Sequence, residues 1–398
     1  MPVLCNSACR PLSLRPMRFV FLCLALNGCL DPITSMAPAP VAAPGRVELV
    51  AAGGRTACAL MEGGSVQCWG APGLVGDGTR SLRVAPKQVS GLTTGVLAIS
   101  AGSAHTCALS AAGHVACWGE NAHGELGSGS TEPTLEPLEV GGLSQVTQVA
   151  AGASHTCAVL ATGGVQCWGL NEQYQLGAPT PTQALGPMAV PGLEGIRTIA
   201  AGATHTCAVT ANGEVHCWGG NQHGELGVGA ASVEPQPTPR QVLGLPGPMM
   251  MAAAGRFHTC AVSPQGAVWC WGQNLFGALG DDTSIDRSLP VQPVGLPSPA
   301  IALSAGAGGT CAVLSDGDVY CWGSNLNGQL GDGSRIHRGR PVKVTGLERA
   351  GRMVSYGEEF SCATTQALRA LCWGKNDEGQ LGDGTDTPRE LPAPVQGF

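Results

Sequence analysis

Residues 155–169, HTCAVLATGGVQCWG, place two apolar runs on either side of a short turn that contains glycine. Short apolar runs bounded by turn residues predict β-strands, and two of them around one glycine-bearing turn predict an antiparallel hairpin. The pattern recurs seven times. Cys58 and Cys68, Cys107 and Cys117, Cys157 and Cys167, Cys207 and Cys217, Cys260 and Cys270, Cys311 and Cys321, and Cys362 and Cys372 share one spacing. The pairs follow one another about every 50 residues, a period typical of propeller blades. Trp69, Trp118, Trp168, Trp218, Trp271, Trp322 and Trp373 each follow the second cysteine.

Six units carry glycine six residues after the first cysteine: Gly64, Gly113, Gly163, Gly213, Gly266 and Gly317. In a three-residue hairpin loop the third position takes the left-handed conformation that glycine tolerates. That loop sets the two cysteines opposite each other at a non-hydrogen-bonded pair, with Cα atoms about 4.5 Å apart, inside the range of a disulfide. The expected bonds are therefore seven, each within one unit. Neighbouring strand residues point to opposite faces. One face of each hairpin therefore carries the sulfurs and the other the indole. A sheet apolar on both faces must be sandwiched between neighbours, as blades are.

Between units runs a second strand motif, P-x-x-V-x-G-L, as in PKQVSGL (86–92), PLEVGGL (137–143) and PVKVTGL (341–347). Its last copy, PAPVQGF (392–398), has no unit after it, and the first unit opens at RVELVAAGG (46–54) with no such strand before it. These complementary ends favour a ring over a rod, which would expose two raw sheet edges. The expected fold is all-β, a seven-bladed propeller closed by pairing of the C-terminal strand with the first blade, over residues 46–398.

Composition agrees with many short strands and tight turns: 60 glycines and 29 prolines in 398 residues, 43% hydrophobic and only 12% charged. The chain is too apolar for disorder. A formal charge of −7 argues against a nucleic-acid surface, which needs a basic stripe. Eighteen cysteines indicate disulfides in an oxidising compartment or metal sites in a reducing one. A metal site needs four convergent ligands, whereas each unit offers two cysteines and an irregular histidine. The N-terminus favours export. After Met17-Arg18 come FVFLCLAL and NGC, which read as a signal ending at Cys29. Leu26-Asn27-Gly28-Cys29 resembles the lipobox of bacterial lipoproteins, whose cysteine is lipidated, although Asn27 is unusual in it. The expected organisation is a leader over 1–29, with Met17 as an alternative start, a Pro/Ala-rich tether over 30–45, and the propeller over 46–398.

The consensus V-x-x-I-A-A-G-x-x-H-T-C-A-V-x-x-x-G-x-V-x-C-W-G-x-N-x-x-G-Q-L-G-x-G, clearest in HTCAVTANGEVHCWGGNQHGELGVG (205–229), resembles the repeat of the regulator of chromosome condensation family, a seven-bladed β-propeller. The paired cysteines depart from the eukaryotic pattern and look like the bacterial exported branch. The first unit lacks the asparagine, and in the seventh Phe360 replaces the histidine and Leu368 the loop glycine.

His105, His155, His205 and His258 hold one repeat position, and recurrence with substitutions reads as structural hydrogen bonding. Asn121, Asn171, Asn221, Asn274, Asn325 and Asn376 recur just past W-G and read as turn caps. Asp281, Asp282, Asp332 and Asp383 raise the question of cations, but Asp-Gly is also an ordinary turn pair and no ligand ladder accompanies it. No nucleophile elbow, phosphate-binding glycine loop or zinc motif is present. No catalytic, cofactor or metal residue is therefore expected. Off-pattern residues of types favoured at binding hot spots are Tyr174, Trp269, Phe276, Arg287 and Arg338; Trp269 equally suits the core. The expectation is a monomeric, non-enzymatic propeller in the bacterial cell envelope, touching the membrane only through lipidated Cys29, and binding a protein or cell-wall ligand through its loops. The alternatives are nucleotide exchange on a small GTPase, which the resemblance to nuclear members implies, and a polysaccharide-acting enzyme, which would need paired carboxylates on one rim.

Overall fold

The computed structural model describes residues 45–347 and 350–398. The leader, with the lipidation candidate Cys29, and the tether up to residue 44 lie outside the described residues. Seven antiparallel four-stranded sheets follow one another along the chain. In blade 1 the strands are Val47–Ala52, Thr56–Met61, Val66–Gly70 and Arg83–Gln88, paired in sequence order from the axis outward. Blades 2 to 7 repeat this over residues 96–139, 146–189, 196–241, 251–291, 300–343 and 350–394. The described residues form no helix.

The second and third strands form the stapled hairpin. Cys58 stands opposite Cys68 and Leu60 opposite Val66, with Gly64 in the left-handed region at φ 82°. The same register holds in the other six blades. Every expected disulfide is present. In blades 1 to 4 Cys58 bonds Cys68, Cys107 bonds Cys117, Cys157 bonds Cys167, and Cys207 bonds Cys217. In blades 5 to 7 Cys260 bonds Cys270, Cys311 bonds Cys321, and Cys362 bonds Cys372. The Cα atoms of each pair are 4.0 to 4.1 Å apart, slightly closer than expected for such a pair, because the sulfur bridge draws the strands together. In blade 7 Leu368 takes the glycine's place and conformation, at φ 59°.

Ring closure corrects one expectation. The C-terminal strand Arg389–Pro394 does not pair with blade 1; Cys372 lies opposite Ala393, so it completes blade 7. The reason is chain direction. Each P-x-x-V motif forms the outer strand of the blade whose cysteine unit precedes it, and its valine stays on that blade: Val89 N–H bonds Val66 O of the third strand. Every blade is thus built from consecutive strands, and the ring closes by packing. Val47 N–H donates to Leu368 O across the closure, as Val96 N–H does to Gly64 O between blades 1 and 2. The ends meet: a methyl built on Gly45 would lie 3.7 Å from the Phe398 ring.

Each seam sets the disulfide face of one blade against the tryptophan face of the next. Between blades 1 and 2, Cys58, Leu60, Val66 and Cys68 pack with Val96, Ile99 and Trp118. The seven tryptophans that follow the second cysteines are fully buried, so each of their indole N–H groups needs a partner inside the protein. It finds a backbone carbonyl of the preceding blade: Leu74 for Trp118, Glu125 for Trp168, Gln175 for Trp218, Glu225 for Trp271, Ala278 for Trp322 and Gln329 for Trp373. Trp69 closes the ring by donating to Gln380 O of blade 7 at 2.9 Å. The exposed rim is protected differently. Every outer strand carries proline, among them Pro86, Pro137, Pro187, Pro237, Pro290, Pro341 and Pro392, which removes edge donors and blocks pairing with another chain.

Closure by an ordinary seam predicts that Trp69→Phe costs at least as much as Trp168→Phe, about 2–4 kcal/mol from lost volume and a lost buried hydrogen bond. Denaturant unfolding of both variants checks this. A near-neutral Trp69→Phe would mean that closure depends on something other than the seam.

Candidate functional site

In an antiparallel blade the first turn and the connection from third to fourth strand fall at one end of the sheet. The hairpins and the crossings to the next blade fall at the other. The connections from third to fourth strand, among them 171–182, 222–231 and 273–286, therefore all fall at the first end.

At the axis of that end the first turns of all seven blades make a collar. An added Cβ on Gly53 would fall 2.4 Å from Gly102 O, and the same holds around the ring to Gly357, whose Cβ would lie 2.4 Å from Gly53 O. Only glycine permits so close an approach of backbones. In six of the seven blades the residue after that glycine then donates its N–H to the next blade, as in Gly54 to Gly102 O, Arg256 to Gly306 O and, closing the circle, Glu358 to Gly53 O. The collar encloses a depression of about 420 Å³. Its larger side chains are Leu170, Arg256, Phe257, Tyr356 and Glu358. Glu358 accepts a hydrogen bond from the Ser103 hydroxyl at 2.5 Å, and the Arg256 guanidinium lies 5.3 Å over the Phe257 ring.

Below the collar lie the recurrent histidines. His105 Nε2 is 2.8 Å from Thr156 Oγ1 of the next blade, and His155, His205 and His258 repeat this with Thr206, Thr259 and Thr310. The Thr156 hydroxyl gives its only proton to Glu125 O, so it can only accept from the imidazole. Nε2 thereby carries a proton. Burial holds His155 and His205 down to about 3, and His105 and His258 to about 4. In two of the three blades that lack the histidine, the neighbouring residues change with it. Phe360 meets Ala57, which has no hydroxyl, in one apolar cluster. At Gly309 the phenol of Tyr356 from blade 7 fills the space and donates to Ser324 O. These are buried seam residues.

The outer loops are also locked. Asn121 Oδ1 accepts from Leu126 N–H and its Nδ2 donates to Ser130 O and Glu132 O; five other blades repeat the cap. In blades 1, 5, 6 and 7 an aspartate pairs with the arginine six residues on: Asp77–Arg83, Asp281–Arg287, Asp332–Arg338 and Asp383–Arg389. Burial pushes the Asp281 and Asp332 carboxyls up. Hydrogen bonds from Thr283 and Arg287, or Ser334 and Arg338, outweigh it and leave both below the ordinary carboxylate range. Among the described residues no cluster of three or more metal-ligating side chains occurs.

Arg287 and Arg338, expected to be off-pattern, thus belong to a repeated pair that lies outside the cysteine–tryptophan motif. Trp269 is half-buried and packs on the core between blades 4 and 5. Tyr174 occupies the glycine position of the W-G-x-N-x-x-G loop, at φ 57°. There the equivalent Gly224 abuts the next blade, 2.6 Å from Ser288 Cα to an added Cβ. Pro179 follows where six other blades donate an N–H to the neighbouring outer strand, as Gly129 does to Leu185 O. Phe276 is partly exposed and stacks on His337 of blade 6 with ring centroids 4.7 Å apart. These five residues form no single site. The collar residues Arg256, Phe257 and Glu358 escaped notice because the axis of a ring is invisible until its blades are placed.

The repeats match models described as the regulator of chromosome condensation (RCC1) repeat, one at residues 47–73, 96–125, 146–175, 196–225, 252–278 and 300–329, another at 112–159, 162–209, 212–262, 316–364 and 369–398. The chain belongs to the regulator of chromosome condensation repeat family. Within that family it is 35% identical over 150 residues to the ultraviolet-B receptor UVR8 of Arabidopsis thaliana, covering 37% of this chain and 34% of that one. It is 32% identical over 150 residues to the human E3 ubiquitin-protein ligase HERC2, covering 37% of this chain and 3% of that one. The chain thus spans about a third or less of these curated relatives. Among solved RCC1-type structures, Prp20p of Saccharomyces cerevisiae superposes with a TM-score of 0.70 at 24% identity, over 78% of this chain and 80% of that one. Human WBSCR16 does so with a TM-score of 0.71 at 22% identity, over 79% and 84%. Both likenesses concern the fold.

The four buried RCC1-repeat histidines predict acid sensitivity. Their folded pKa values lie below the unfolded value of about 6.5, so the unfolded chain binds more protons as pH falls. Stability is full above about pH 6.5 and is lost between there and about pH 4, by about 1.4 kcal/mol per histidine per pH unit. In urea titrations from pH 7.5 to 4.5, His155→Gln should show a shallower decline than the parent; parallel declines would contradict a neutral buried imidazole.

Proposed function

We propose that this chain is a non-enzymatic binding propeller of the bacterial cell envelope, held by a lipid on Cys29, that recognises a protein or cell-surface ligand through its collar end. One observation carries the reading. The repeated side chains (tryptophan, histidine, threonine, asparagine and the Asp–Arg pairs) are all engaged in holding blades or loops. The side chains left over for recognition, Arg256, Phe257, Phe276 and Glu358, gather at one end. A rigid scaffold with variable loops at one end is the usual arrangement of a binding module. Seven buried disulfides favour an oxidising compartment. The lipobox-like Leu26–Cys29 and a tether that extends about 3.1 Å per residue supply an anchor. A solved relative, yeast Prp20p, is described by its binding to Gsp1p and histones, so protein binding has a precedent on this fold.

Anchoring is tested by expression of the full chain in a bacterial host. The expected result is membrane association of the parent, an acylated N-terminus at Cys29 by mass spectrometry, and loss of both in Cys29→Ser. Release of the parent in a soluble form would refute the anchor. Binding is tested with immobilised Cys29→Ser chain and envelope extract, compared with the same chain carrying Arg256→Glu and Glu358→Lys. Retention of a species by the parent and not by the variant supports the collar end; equal retention by both would move recognition elsewhere.

A further inference from the structure

The seven units control for one another, and two of them break pattern on the solvent side. At the position after the recurrent asparagine, blades 2, 3, 4 and 7 carry Ala122, Glu172, Gln222 and Asp377, whereas blades 5 and 6 carry Leu275 and Leu326. Four residues beyond the loop aspartate, blades 1 and 7 carry Ser81 and Thr387, whereas blades 5 and 6 carry Ile285 and Ile336. All four aliphatic side chains are 60% to 63% exposed, so none serves the fold. They are close neighbours. Asn274 bonds Ile285 O, and Asn325 bonds Ile336 O, each at 3.2 Å. Phe276 bridges the two loops on His337. Together the five expose on the order of 500 Å², near the upper end of what a soluble monomer usually shows, and such patches mark interaction sites.

Charge around the patch favours one kind of occupant. In a chain of net charge −7, this sector holds three exposed arginines. Arg256 rests on Phe257 without an acidic partner among the described residues. Arg335 and Arg340 reach Glu390 and Asp282 in ion pairs whose members are all more than 40% exposed. Exposed pairs of this kind are weak and readily exchange partners. We propose that the apolar sector over blades 5 and 6 is a docking site for a protein segment that presents aliphatic side chains beside a carboxylate. The proposal rests on the collar end being the binding end. A lipid surface fits less well, because the chain enters blade 1 at Val47, next to the blade 7 hairpin and so at the opposite end.

The test selects a displayed library of random twelve-residue peptides on the Cys29→Ser chain. Enriched sequences should combine aliphatic residues with Asp or Glu. A synthetic representative should lose tenfold or more in affinity on the double change Leu326→Ser with Ile336→Ser, and fivefold or more on Arg256→Glu, with unchanged thermal melting of both variants. Peptides without acidic residues, or an absence of enrichment, would overturn the proposal. So would binding of phosphatidylglycerol vesicles that needs the same residues, which would put a membrane there. Peptides sensitive to Glu358→Lys but not to the double variant would overturn the sector and keep the collar end. Peptides indifferent to every one of these changes would overturn both.

Discussion

The structure depends on the indole N–H that each blade gives to the backbone of the blade before it. Tryptophan in a dry seam supplies the largest apolar surface of any side chain, but its N–H must be satisfied or the burial is costly. Seven tryptophans meet that condition in one way, 2.8 to 3.1 Å from a carbonyl of the preceding loop. In blades 3 to 6 a threonine shares that carbonyl, and a neutral histidine in turn donates to the threonine; in blade 7 Ser361 replaces the threonine. The disulfide on the opposite face of each blade then meets the next indole. Sulfur rigidifies the hairpin, the indole fixes the neighbour, and the two constraints alternate around the ring.

Because identical seams consume the repeated residues, individuality resides where repeats disagree. Some disagreements are internal repairs: Phe360 with Ala57, and Gly309 with Tyr356, keep a seam filled when the histidine is absent. Others face water and repair nothing, as Leu275, Ile285, Leu326 and Ile336 do. The junction of blades 3 and 4 stands apart again, with Tyr174 in a glycine's conformation and Pro179 where an N–H would bridge. The ring is therefore symmetric in what holds it and asymmetric in what it presents.

Hairpin register, blade number, the seven disulfide pairings and the two-faced packing were legible in the sequence. They follow from period two, the loop glycine and the ten-residue spacing that Cys58 and Cys68 share with every later pair down to Cys362 and Cys372. Closure was misread. A terminal strand motif such as PAPVQGF looks unpaired when the chain is cut at each cysteine unit, and only strand pairing reveals that it completes its own blade. Arg287 and Arg338 look off-pattern for a related reason: the Asp–Arg pair occurs in four blades only and lies outside the cysteine–tryptophan motif. Arg256, Phe257 and Glu358 come from turns about 100 residues apart and share a depression only because the ring closes.

The central claim is that seven interchangeable seams, and no shared strand, close the ring. Circular permutation tests it most directly, since Gly45 and Phe398 already meet. A permutant that begins at Val96 and joins Phe398 to Gly45 cuts the crossing between blades 1 and 2. The account predicts cooperative unfolding with a midpoint within a few degrees of the parent and seven intact intrablade disulfides. A permutant that fails to fold, or that melts in two separate steps, would contradict it.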